Sequence, residues 1–82
     1  MDGIQARREA LAELDRWFAK RGFGFVVEKD AAQYWAHLFS RDGFQICAPK
    51  YGLGHDAVSA AASARERYRI EEADDGNSDD QR

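Results

Sequence analysis

Tyr34-Trp35-Ala36-His37-Leu38-Phe39-Ser40, Arg41-Asp42-Gly43 and Phe44-Gln45-Ile46-Cys47-Ala48 run consecutively, and this stretch decides the fold. Its outer parts are rich in aromatic and branched residues, the composition of a pleated, half-buried surface. Between them, Asp42-Gly43 tolerates the positive φ of a tight turn. The stretch therefore reads as a β-hairpin. Upstream, Phe23-Gly24-Phe25-Val26-Val27-Glu28 has the same character and predicts a preceding strand, with Lys29–Gln33 as the connecting loop. Downstream, Pro49 has no amide to give a ladder, so pairing should stop there or lie at a sheet edge. Gly52-Leu53-Gly54 reads as a loop that leads to Asp56, a good helix cap.

Helices are expected on both sides of the strands. Ile4, Leu11, Leu14 and Phe18 recur at helical spacing, with Ala10 and Trp17 widening the stripe. Asp2 and Gln5 have the spacing of a capping box, and Gly22 suits a helix stop after Lys20 and Arg21. From Ala57 to about Glu72, Ala57, Ala61, Ala64 and Tyr68 fall on one face, while Arg67–Glu71 and Glu66–Arg69 support the exposed side. The expected fold is α+β in the order α-β-β-β-α, a three-stranded antiparallel meander with both helices packed on one face. Residues 1–72 form the expected single domain, and 73–82 an acidic disordered tail.

Strand register determines what the other sheet face displays. A three-residue turn with Gly43 in the left-handed position pairs Ser40 with Phe44, Leu38 with Ile46 and Ala36 with Ala48. Tyr34, Ala36, Leu38, Phe44, Ile46 and Ala48 then lie under the helices with Phe23, Phe25 and Val27. Trp35, His37, Phe39, Gln45, Cys47, Val26 and Glu28 lie on the open face. A two-residue turn slips the register and groups Trp35, Phe39, Phe44 and Ile46 instead. The first arrangement is preferred. It makes Trp35, His37, Phe39, Gln45 and Cys47 the expected partner-binding residues, because contiguous exposed apolar area on a small protein marks an interaction surface.

Composition narrows the function classes. With 82 residues, no room exists for a cleft between two domains. The net charge is −3, but the last twelve residues carry six acids against Arg82 alone, leaving a weakly basic body. That is not the charge footprint of a strong nucleic-acid binder. One cysteine, two histidines and no paired spacing argue against structural zinc. His37 and Cys47 form a Cys–His pair, but a strand cysteine is more commonly a packing residue than a nucleophile. Gly52-Leu53-Gly54 matches no phosphate-binding fingerprint. No catalytic residue, metal or cofactor is expected. Met1–Ala10 does not read as a signal peptide, no apolar run reaches membrane-spanning length, and a cytoplasmic protein is expected.

The α-β-β-β-α order, with Gly52-Leu53-Gly54-His55-Asp56 opening an alanine-rich helix, resembles the double-stranded-RNA-binding domain. That resemblance implies RNA contacts from the last helix. Laid on this chain, the cap position falls on Asp56 and the phosphate-gripping lysine positions on Ala57, Val58 and Ala61. An RNA reading would otherwise draw on Lys29, Arg41, Lys50, Arg65 and Arg69, with bases stacking on Trp35 and Phe39. Residues 23–72 also resemble HicB-type antitoxins, through Tyr34-Trp35-Ala36-His37-Leu38, Gly54-His55-Asp56 and Ala60…Ala64-Arg65-Glu66. That second resemblance implies a sheet-and-helix module that covers a protein of similar size and self-associates. The leading expectation is a non-catalytic module that binds and masks or recruits a protein partner, with a homodimer as a further state and RNA binding as the alternative.

Overall fold

The computed structural model describes the backbone of residues 2–77 and the side chains of residues 3–73. Helix α1 (Asp2–Ala19) is followed by strands β1 (Phe23–Asp30), β2 (Gln33–Ser40) and β3 (Gln45–Gly54), then by helix α2 (Ala57–Asn77). The strands form one antiparallel sheet in the order β1-β2-β3. Both helices lie on the same face of it, so the α-β-β-β-α order and the α+β class hold.

The core is assembled from one side of each element. Phe18 of α1 is fully buried against Ala36 and Leu38 of β2 and Ala60 and Ala64 of α2. Around it, Trp17, Phe18, Phe23, Phe25 and Tyr68 meet edge to face, with centroids 5.0–6.4 Å apart. That geometry suits the ring quadrupole better than a face-to-face stack. The helices run side by side in the same direction. Ala6, Arg7 and Ala10 face Asp56, Val58 and Ser59 at one end, and Trp17 reaches Tyr68 at the other. Ile4 lies more than half a turn before Ala6 and remains 60% exposed, so the apolar stripe of α1 enters the core only from its middle. The capping role expected of Asp2 rests on a side chain outside the described residues.

The Gly52–Gly54 segment corrects the sequence reading. It belongs to β3 and pairs with β2 through Ala36↔Gly52, Trp35↔Leu53 and Tyr34↔Gly54. The glycines are there because α2 lies directly on the strand. A Cβ at Gly52 would stand 2.2 Å from the Ala60 carbonyl oxygen, and one at Gly54 would stand 2.4 Å from the Ala60 nitrogen. Glycine on the strand and alanine on the helix together allow this approach. Pro49 sits in an edge strand whose ladder is interrupted and then resumes, the placement proline permits.

Two polar clusters fix the helices. Asp56 Oδ1 accepts the Ser59 N–H at 2.8 Å, the expected cap, and that amide holds the Asp56 carboxyl below its ordinary range. Tyr51 on β3 donates its hydroxyl to Glu71 of α2, while Arg67 donates to Glu71 at 3.0 Å and lies over the Tyr51 ring at 4.3 Å. Burial, then the hydrogen bond to Glu71, pushes the Tyr51 phenol upward; the same hydrogen bond, then Arg67, pulls the Glu71 carboxyl down. α2 continues to Asn77, beyond the end expected near Glu72. Once α2 is anchored by packing, each further residue adds a hydrogen bond without a new nucleus. Of the expected tail, 73–77 are helical and 78–82 lie outside the described residues.

Candidate functional site

The turn between β2 and β3 determines the open face. It spans Arg41–Phe44, and the Phe44 N–H donates to the Ser40 carbonyl at 2.6 Å. Phe44, not Gly43, takes the left-handed conformation (φ 53°). The expected three-residue turn is thereby replaced. Ser40 pairs with Gln45, Phe39 with Ile46 and Leu38 with Ala48. Arg41 anchors the turn by donating Nε–H to the Phe23 carbonyl at 3.2 Å and pairing with Asp15 of α1 at 3.2 Å.

Ile46 therefore moves from the helix-covered face, where the preferred register put it, to the open one. Phe44 likewise leaves the core side and stacks on Phe39, with centroids 6.2 Å apart and planes at 27°. The Phe39 ring lies over Gly24, where any Cβ would stand 2.4 Å from it. Val26, Phe39, Phe44 and Ile46 line one shallow apolar depression. Phe44 is 78%, Ile46 56% and Val26 46% exposed. The grouping of Phe39, Phe44 and Ile46 on one face matches the alternative register in outcome, although a four-residue turn and bulges produce it.

Two irregularities in β3 place the remaining residues. Cys47 is the extra residue between Phe39↔Ile46 and Leu38↔Ala48, and its thiol lies 3.6 Å from the Leu38 carbonyl oxygen. Pro49, Lys50 and Tyr51 together oppose His37 alone, with Lys50 at φ 52°. This bulge turns the Lys50 amide away from a ladder partner, and His37 Nδ1 accepts it at 3.0 Å. With Nδ1 accepting, the neutral ring carries its proton on Nε2 and donates it to Glu28 Oε1 at 3.1 Å. His37, expected as a displayed contact residue, is buried, and both its ring nitrogens are engaged. Its visible work is to hold the bulge.

Trp35, expected on the open face, lies there with Glu28 on one side and Leu53 on the other. Lys50 Nζ stands 5.6 Å from the Trp35 ring centroid, within cation–π range. Gln45 pairs with Ser40, the register position that alternation gives to the helix side, so it does not join the open face. The sequence reading therefore placed Trp35, His37, Phe39, Val26 and Glu28 correctly by face, misplaced Gln45, and left out Phe44, Ile46 and Leu53. The available signal for Phe44 and Ile46 was their grouping in the slipped register.

The cations of the RNA alternative do not converge. Arg41 is tied to Asp15 at one end of the sheet, whereas Lys29 lies by the hairpin at the other, near Tyr34. Arg69 pairs with Glu66 at 3.2 Å. Arg65 sits on the helix side, in a shallow groove with Glu13, Arg16, Trp17 and Lys20. Among the described residues, no three His, Cys, Asp or Glu side chains are grouped to hold a metal, and no helix is long and apolar enough to cross a membrane. Comparison of the chain with family models, with curated proteins and with solved structures returns no match.

Proposed function

We propose that this protein is a non-catalytic interaction module of the cytoplasm that binds and masks or recruits a protein partner through its open sheet face, in the manner of an antitoxin or inhibitor. One observation carries the reading: Val26, Phe39, Phe44 and Ile46 form a contiguous apolar patch that the fold itself leaves uncovered. Apolar side chains scattered singly over a surface need no explanation, but a contiguous group does. The conformation of Phe44 supports it further. A left-handed non-glycine residue costs on the order of 1 kcal/mol, and here that cost holds an aromatic ring in solvent beside another.

Such a patch suits a protein surface of matching shape. Aromatic anchors near the centre of an interface cost about 2 kcal/mol or more when truncated. A nucleic-acid ligand would instead need converging cations, and it would bind with a steep salt dependence.

The test is capture of partners by the tagged chain from its native lysate, with and without nuclease, beside a Phe44→Ser/Ile46→Ser variant. A nuclease-resistant protein retained by the parent chain and lost by the variant is the expected result. RNA that disappears with nuclease, or a protein partner that both chains retain equally, contradicts the proposal.

A further inference from the structure

We infer that the open face packs against a second copy of this chain, face to face, about a two-fold axis lying along β2. The inference rests on the proposed protein-binding role of that face and names its occupant. The face is ordered in rows across the strands. Gly24, Phe39 and Ile46 form the row at the turn end, with Phe44 beside it; Glu28, Trp35 and Leu53 form the far row. Charge is placed asymmetrically about Trp35. Glu28 lies on the β1 side, with its side chain 70% exposed, and Lys50 reaches the Trp35 ring from the β3 side.

Two sheets packed face to face stand about 10 Å apart with strands roughly aligned. Only two in-plane two-folds keep that alignment. An axis across the strands sets β1 on β1 of the second copy and brings Glu28 over the apolar turn-end row, where no cation of the second copy faces it. An axis along β2 sets β1 over β3. Glu28 then faces Lys50 of the second copy and Lys50 faces its Glu28, while Phe39 meets Phe39 and Trp35 meets Trp35. The patch is thus self-complementary in charge and in apolar surface, as an isologous interface requires. Unpaired edge charges also disfavour the other orientation.

The affinity should be modest. Three strands about 4.8 Å apart and eight residues at about 3.3 Å each give a face of roughly 400 Å² in projection. A standard interface buries about 800 Å² per partner. A face about half that size supports at most a weak dimer that forms and dissociates with concentration.

Sedimentation velocity over a concentration series tests this with Glu28→Lys and Lys50→Glu, first separately and then mixed. In the first variant both edges are basic and in the second both are acidic, so each alone should dimerise about tenfold more weakly. Mixing them pairs basic edges with acidic ones and should recover a dimer of at least the original affinity. Because Glu28→Lys removes the acceptor of His37 Nε2, Ile46→Thr serves as an independent variant away from that hydrogen bond, and it should also weaken the dimer. A chain that stays monomeric, a dimer indifferent to these substitutions, or a mixture that fails to recover overturns the inference. If the monomer still captures a lysate protein that Phe44→Ser/Ile46→Ser releases, only the identity of the occupant is wrong. If it captures none, the binding role of the face fails too.

Discussion

The two faces of this sheet are built by opposite means. On the helix side, side chains are removed until backbones meet: Gly52 and Gly54 lie under Ala60, and Ala36, Ala60, Ala61 and Ala64 are fully buried. Large residues enter that side chiefly where the helices leave room, as Phe18 and Leu38 do. On the open side, large apolar residues are retained and left in water. The same strands serve both, since alternate residues of β2 point to opposite faces. Helix-side residues hold the fold; Phe44 and Ile46 add little to it and remain available for binding.

The helix-covered face is most sensitive at its tightest point. Gly52→Ala should destabilise the protein by about 3 kcal/mol or more, because the new methyl meets helix backbone rather than a side chain that can turn aside. Gly43→Ala is the matched control. Its site is open and lacks positive φ, so urea unfolding should show no loss and a gain of up to about 1 kcal/mol.

The next largest effect belongs to His37, the one buried polar residue among the described ones and the residue that holds the β3 bulge. His37→Leu leaves the Lys50 amide without its acceptor and should cost about 1–3 kcal/mol. Amide exchange at Lys50 should accelerate in the variant more than at Leu38, which distinguishes a loosened bulge from general destabilisation.

Tyr51 provides a smaller effect with a definite pH sign. Its folded phenol ionises above its ordinary value, chiefly through burial and then through Glu71. The stabilisation is therefore complete below roughly pH 10, the unfolded value, and is lost as pH rises beyond it. Glu71, whose folded value is depressed, contributes above the ordinary carboxylate range and loses that contribution as pH falls through its folded value. Urea midpoints should decline at alkaline pH in the parent chain and decline less in Tyr51→Phe.

Phe44→Ser should give the smallest change in stability, within about 0.5 kcal/mol, while reducing association. A loss comparable to that of Gly52→Ala would remove the distinction between the faces.

The order of elements was readable because periodicity and capping agree over α1, β2 and the start of α2; Phe18, Leu38 and the Asp56 cap were placed directly. The length of β3 was not. Gly52 and Gly54 carry turn propensity, and only the alanines four apart at Ala60 and Ala64 hint that a helix lies on that segment. The turn was missed for a different reason. Local preference favours Gly43 at positive φ, whereas Phe44 takes that conformation and stacks on Phe39, a tertiary contact that propensity does not record. Cys47 and the Pro49–Tyr51 bulge then shift the register, and Pro49 was the one local sign of irregularity there.

Pairing of two copies through the open face is tested most directly by following the NMR resonances of the chain through a dilution series. Face-to-face pairing predicts concentration-dependent shifts at Val26, Trp35, Phe39, Phe44, Ile46 and Leu53, with Phe18, Leu38, Ala60 and Ala64 unmoved. Shifts confined to the exposed sides of α1 and α2, or no shifts at any concentration, would contradict it.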